Sequence, residues 1–282
     1  MRKHTQESRH PEKPHICFVS ETKATYDILT GKGSATGGAE VQQMLVSLEL
    51  MKLGYAVTFL VPDCGQQSEF ITENGIRVIK TRPQYRSAHW PHHYLVDIGR
   101  IFKAMRRSKA DIFYQRAAAT ITGIAALYCR LNCKPFIFSI AHNKDVDGTG
   151  RLLLKSWHRW LYDFGLRNAT AVVAQTNDQM RMLKENHGMD GFLIRSTFLS
   201  SGTTHRPKKG QYILWVSGLR AMKRPDMFVE LAGRLPEYKF VMVGGSTIGA
   251  ESLYKDIEKK AANVSNLEMT GAVPYNEVGE YF

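Results

Sequence analysis

Cysteine is scarce in this chain: Cys17, Cys64, Cys129 and Cys133 are the only four, and no two have CxxC spacing. That pattern excludes a disulfide framework and reads as buried free thiols in a reducing compartment. Long apolar runs are missing too, since no stretch approaches the roughly 20 apolar residues that a membrane span needs. Residues 1–14 are polar and basic with no apolar core, which reads as a disordered lead-in rather than a secretory signal. These absences place the protein in the cytoplasm, soluble or peripheral at the inner face of the membrane. Acidic residues are in deficit, 26 against 38 Lys and Arg, leaving +12. Such a balance favours anionic partners, whether nucleotide diphosphates, nucleic acid or an anionic membrane face, without choosing among them. Neither GxGxxG nor a Gly-Lys-Ser/Thr phosphate loop is present.

What the chain does contain is a repeated alternation of apolar strands and amphipathic helices, with 43% apolar residues. Strands are expected at 15–20, 55–61 (ended by Pro62), 76–79, 111–114, 135–141, 169–174 and 192–194. Helices are expected at 39–53, 94–107, 117–131, 151–166 and 177–187, and residues 21–38 read as a polar, Gly-rich loop. Continuously apolar strands between amphipathic helices argue for an α/β fold with a parallel sheet covered on both faces. The pattern lapses over 196–210 and restarts with strands at 212–217, 239–243 and 267–270 and helices at 225–235 and 251–262. A last helix is expected from Tyr275. The chain therefore divides into a lead-in (1–14), a first Rossmann-like domain (15–195), a linker (196–210) and a partial second one (211–282). Three parallel strands with open edges make a poor free-standing domain, so a C-terminally truncated chain is expected.

Two loops carry the chemistry. Gly37 and Gly38, in Thr36-Gly-Gly-Ala-Glu40, stand between the first strand and the first helix. There the backbone can approach a ligand and the helix offers free N–H groups to a phosphate; a plain turn before a helix fits equally. The second loop follows the strand in Ile213-Leu-Trp-Val-Ser-Gly218 and carries Arg220, Lys223 and Arg224 before Pro225 opens a helix. A lysine at the carboxyl end of a parallel strand can neutralise a departing diphosphate; a solvated basic loop, the usual reading of a lone charge cluster, is the lesser alternative here because strand, loop and helix N-terminus coincide. His142 follows an apolar strand in Phe138-Ser-Ile-Ala-His-Asn-Lys-Asp145, where an imidazole can donate a hydrogen bond or shuttle a proton; a loop histidine with no role fits equally. Asn143 and Asp145 are its polar neighbours. His89, His92 and His93 beside Trp90 lack an accompanying carboxylate or cysteine and are split by Pro91, so no metal is expected there. The basic stretch 151–167, with Trp157 and Trp160, fits a helix packed on the sheet; it also fits one lying on an anionic bilayer. Arg100, Lys103, Arg106, Arg107 and Lys109 read as a solvated helix face.

With GGAE after the first strand, then WVSGLRAMKRPDMFVELAGRLPEYKFVMVGG and NLEMTGAVPYNEV, the sequence resembles family-4 glycosyltransferases of GT-B architecture from Ile16 to Phe282. The 213–245 stretch carries most of the resemblance. It implies two Rossmann-like domains facing a cleft, the acceptor held by the first and the nucleotide sugar by the second, with retention of configuration and no essential metal or other cofactor. By position it implies that Gly37 and Gly38 lie near the donor diphosphate and that Lys223 binds it. Gly244, Gly245 and the Thr270–Val273 loop would line the nucleotide pocket, and His142 would stand near the transferred sugar or the acceptor. Where the family often has an arginine after the strand, this chain has Gly218, so Arg220 or Arg224 is left to complete the pair. The paired-glutamate motif would lie beyond Phe282, so residues 1–282 alone are expected to be inactive.

The function so implied is hexosyl transfer from a nucleotide diphosphate to a glycan or lipid-linked acceptor, as in polysaccharide biosynthesis. The alternatives are a GT-B epimerase or phosphorylase, and a noncatalytic nucleotide- or nucleic-acid-binding module. Against nucleic acid, no basic stripe is interleaved with exposed aromatics on short strands.

Overall fold

The computed structural model describes residues 13–31, 37–83, 91–149, 156–197, 210–247, 249–273 and 277–282. Most of the lead-in, Thr36, His89, Trp90, residues 151–155 and most of the linker lie outside them. The chain divides into two compact units, with the main boundary between Phe198 and Leu199.

In the first unit the apolar runs form β1 (Ile16–Val19), β2 (Val57–Asp63), β4 (Arg77–Pro83), β5 (Ile112–Arg116), β6 (Phe136–Ser139), β7 (Ala171–Ala174) and β8 (Phe192–Leu193). The short β3 (Glu69–Ile71) joins them in one sheet of order β3-β4-β2-β1-β5-β6-β7-β8. All pairs are parallel except β3 with β4. Side chains alternate faces along a strand, and the core divides accordingly. Ile16, Phe18, Val57 and Phe59 face the layer of α1 (Lys23–Thr30) and α2 (Gly38–Lys52). Cys17, Val19, Leu60, Phe113, Phe136 and Phe138 face α3 (Pro91–Ser108), α4 (Thr120–Leu131), α5 (Ser156–Arg167) and α6 (Asn177–His187). Phe18 and Phe59 stack at 4.7 Å. The strand order reverses between β1 and β5, which makes their carboxyl ends the place where such sheets bind ligands.

Four expectations change. Residues 21–38 are not one loop, because α1 occupies Lys23–Thr30. The Thr22 hydroxyl accepts from the Thr25 N–H at 3.3 Å, Lys23 pairs with Asp27 one turn on at 2.6 Å, and Leu29 is buried. Pro62 does not end β2, because the register with β4 shifts between Val61 and Asp63, and a proline at a bulge removes no ladder bond. The helix expected from Tyr275 is, over the described residues, a 3-10 turn at Val278–Tyr281. Cys17 and Cys129 are buried as expected, and burial pushes the Cys129 thiol up to about 12, but Cys133 is exposed, in a left-handed turn (φ 51°) after α4.

The second unit is a three-stranded parallel sheet of order β11-β10-β9, made of β9 (Ile213–Val216), β10 (Phe240–Val243) and β11 (Leu267–Gly271). α7 (Pro225–Arg234) and α8 (Glu251–Ala261) cover it around Phe228, Phe240, Met242 and Ile257.

Candidate functional site

The second unit gathers its predicted residues at the carboxyl ends of its strands. After β9 the chain continues as an extended bridge in which the Leu219 N–H donates to the Gly245 carbonyl at 3.0 Å and Leu219 pairs with Ser246. The Thr247 hydroxyl donates to the Leu219 carbonyl at 2.9 Å. This locking explains three glycines. A Cβ on Gly244 would lie 1.8 Å from the Ser217 carbonyl oxygen, and one on Gly245 would lie 2.6 Å from the Ala272 Cβ. A Cβ on Gly218 would press the Thr247 methyl at 2.9 Å, so the position where the family often carries arginine is closed by a neighbour. Packing alone therefore accounts for Gly244 and Gly245. Val273 is half-buried just past β11.

The loop then forms a 3-10 turn, Ala221–Lys223, and Arg224 bends left-handed (φ 51°) to let the buried Pro225 start α7. Arg224 is spent on Asp226: its guanidinium donates to both carboxylate oxygens at 2.8–3.2 Å. That pair holds the Asp226 carboxyl below its ordinary range. Arg220 and Lys223 are exposed, and among the described residues no carboxylate pairs with either. Lys223 and Arg224 line a groove of about 390 Å³ with Trp215, Met227, Phe228 and Arg234 along α7. Among the described residues that lining does not include Gly218, Gly244, Gly245 or Val273.

In the first unit, His142 leaves β6 in extended conformation and caps a 3-10 turn, Asn143–Asp145. Its Nδ1 accepts from the Lys144 backbone N–H at 3.1 Å. A backbone N–H can only donate, so the ring proton sits on Nε2 of this exposed imidazole. Asp145 is 5% exposed and structural: its carboxylate accepts from the Ala141 and His142 N–H groups at 2.8 and 3.1 Å. Burial raises its carboxyl above the ordinary range, against those backbone donors. Asn143 accepts from Gln179, and Gln175 donates to the Ile140 and Ala141 carbonyls, tying the turn to β7 and α6.

Gly38 opens α2, its φ lies outside the left-handed region, and a Cβ there would meet nothing within 4 Å among the described residues. Neither strain nor packing calls for glycine at that position. Sequence reasoning passed over the charged groups at the strand-order reversal. Glu21, buried after β1, pairs with Arg82 at 2.8 Å and accepts from Thr81. Burial raises its carboxyl, against the pull of Arg82. Arg116, ending β5, donates to the Ser139 hydroxyl at 2.9 Å while its Nε is buried and unpartnered among the described residues. A charged residue closing an apolar strand was the available signal. His92 and His93 fall in the first turn of α3, and the described residues hold no cluster of three metal-binding side chains.

No curated protein sequence matches the chain significantly. Solved structures share its fold at identities too low to show more. Sucrose-phosphate synthase from Thermosynechococcus elongatus superposes with a TM-score of 0.68 at 12% identity, over 95% of this chain and 73% of that one. Anabaena HepE, solved with UDP and glucose, gives 0.62 at 12% identity over 93% and 70%. A putative UDP-N-acetylglucosamine 2-epimerase from Listeria monocytogenes gives 0.57 at 11% identity over 95% and 72%. The fold is that of GT-B enzymes. The model of Glycosyltransferase Family 4 matches residues 36–195, more than half of the chain, although the 213–245 stretch that carried most of the resemblance lies outside the match. The chain thus belongs to glycosyltransferase family 4.

Proposed function

We propose that this chain is the donor- and acceptor-binding body of a retaining glycosyltransferase that moves a sugar from a nucleotide diphosphate to a glycan or lipid-linked acceptor. The observation that supports it is the turn between β9 and α7. Two cations with no carboxylate partner among the described residues, Arg220 and Lys223, stand there beside the positive end of the dipole of a ten-residue helix, which favours an anion. Lys223 stabilises the departing diphosphate, and Arg220 is its partner because Arg224 is already held by Asp226. His142 gives a hydrogen bond through Nε2 to the sugar or the acceptor. Gly37 and Gly38 admit the phosphates to the start of α2, and Gly244, Gly245 and Val273 wall the nucleotide. Most of the rate gain comes from orientation and charge stabilisation, without an essential metal. HepE, whose structure holds UDP, supports UDP as the first nucleotide to try.

Titration of the chain with UDP, GDP and ADP by calorimetry tests the reading. Lys223→Ala and Arg220→Ala are each expected to weaken the bound nucleotide by about tenfold, and Arg224→Ala by less than about threefold. Unchanged affinity in Lys223→Ala removes that lysine from the site. The likeness to an epimerase gives a second reading, checked by following UDP-N-acetylglucosamine by NMR for a new sugar epimer without an acceptor. A steep salt dependence of DNA binding, with no response to any nucleotide diphosphate, would instead favour the noncatalytic module.

A further inference from the structure

Helices α3 and α5 of the first unit carry a cluster of large apolar side chains in water. Leu95 is 73% exposed and Trp160 67%, and Tyr94, Val96 and Trp157 are also exposed. The two helices meet here, with the Tyr94 and Trp157 rings edge to face at 4.9 Å. Trp160 stacks on the half-buried Phe164 one turn on, at 6.0 Å. Large aromatics gathered outside a core that buries Phe18, Phe59, Phe113, Phe136 and Phe138 mark a surface that meets something apolar.

Cations flank the cluster on the same helices. At about 100° per residue, Arg106 falls on the stripe of Leu95, and Arg167 on that of Trp160. Lys103, Arg106 and Arg167 are exposed and have no carboxylate partner among the described residues. The other charges nearby largely cancel: Arg100 with Asp97 at 3.1 Å, Arg159 with Asp163 at 3.8 Å, and Arg107 with Glu69 at 2.9 Å. The patch is therefore aromatic and aliphatic at one end and cationic beyond it, on a chain of net charge +12. A second copy would bring like charges together, whereas an anionic bilayer offers both the apolar boundary and the opposite charge.

The topology says where this patch lies. α3 leads from β4 into β5 and α5 leads from β6 into β7, all parallel strands, so both helices run antiparallel to the sheet. Their first two turns, which carry Tyr94, Leu95, Trp157 and Trp160, thus lie toward the edge where the strands end, the edge that also carries Glu21, Arg116 and His142.

We infer that the N-terminal turns of α3 and α5 dock the first unit on an anionic lipid bilayer, with Trp157 and Trp160 at the headgroup level, beside the carboxyl edge of its sheet. This goes beyond sugar transfer: vesicle binding needs no nucleotide, so the two readings fail independently.

Co-sedimentation of the full chain with phosphatidylcholine vesicles, with and without phosphatidylglycerol, tests it. Binding is expected only with the anionic lipid and is expected to fall as salt is raised. Lys103→Gln with Arg106→Gln should weaken it by roughly twentyfold, about fivefold for each cation lost near an anionic surface. Trp160→Ser should weaken it by about tenfold. Trp160 is mostly exposed, so this variant keeps the core, and unchanged circular dichroism checks that. Independently of any variant, tryptophan emission of the unmodified chain should be quenched by brominated lipid. Absence of quenching, equal binding to neutral vesicles, or unaltered binding by Trp160→Ser overturns the proposal. So does self-association in sedimentation without lipid that Trp160→Ser abolishes, which would make the patch a contact between copies.

Discussion

Gly123 of α4 and Gly165 of α5 touch backbone to backbone: a Cβ on Gly165 would lie 2.6 Å from the Gly123 nitrogen, and one on Gly123 would lie 2.1 Å from the Leu161 carbonyl oxygen. Neither helix has room for a methyl at the crossing. Gly123→Ala is expected to cost about 3 kcal/mol through forced separation of the helices. A methyl on Gly99, inside α3, would meet nothing within 4 Å among the described residues, so Gly99→Ala should stabilise by about 1 kcal/mol from helix propensity. Urea unfolding of the two variants should move the midpoint in opposite directions; a shared direction would refute the packing argument.

At Gly218 the obstacle is a single methyl. Gly218→Arg is expected to destabilise by about 1 kcal/mol because the new Cβ meets the Thr247 methyl at 2.9 Å. Thr247→Ser removes that methyl and keeps the hydroxyl that holds the Leu219 carbonyl. The double variant should recover the loss in urea unfolding, and a non-additive recovery is the sign that the two positions couple.

Asp145 supports the His142 turn rather than reacting. Asp145→Ala leaves the Ala141 and His142 N–H groups without their acceptor and is expected to cost about 2–3 kcal/mol, whereas Asp145→Asn keeps one oxygen and should cost about 1 kcal/mol. Equal unfolding midpoints for the two variants would show that the carboxyl oxygens do not hold the turn.

Acid should loosen the end of α6. Burial keeps the His187 imidazole below its ordinary value of 6.5, outweighing the attraction of Asp163, and its Nε2 is buried and unpartnered among the described residues. The unfolded chain then takes up the proton first. The stability from this group is complete above 6.5 and declines as the pH falls toward the lowered folded value. His15, depressed by burial and then by Arg77, acts in the same direction. Between about pH 7 and pH 5 the unfolding midpoint of the parent should fall more steeply than that of His187→Gln, and parallel curves would clear His187 of the effect.

Periodicity made the parallel sheet and most of its helices readable, because apolar runs and amphipathic stretches are long enough to show their period. α6 was legible to the residue, with Thr176 capping it and Gly188 closing it at φ 66°. α1 was hidden because its eight residues bury only one large apolar side chain and sit beside a glycine-rich stretch. β3 was hidden because three residues on an antiparallel edge carry no period. At the site, residue types pointed to the β9–α7 turn and to His142, since a basic loop and a histidine at strand ends are visible as such. Which cation was already occupied was not visible, for it depends on the left-handed bend at Arg224 that brings its guanidinium to Asp226. Nor could sequence separate a glycine held by neighbours, as at Gly244, from one that its surroundings leave unconstrained, as at Gly38.

The contact between Lys144 and the His142 ring has a chemical corollary. A neutral imidazole whose inner nitrogen is occupied has no lone pair to offer outward, so it cannot deprotonate an incoming alcohol from that side. Under the proposed same-face substitution, the alcohol's hydrogen would instead pass to an oxygen of the outgoing phosphate, and the histidine would be left to orient its partner through one hydrogen bond.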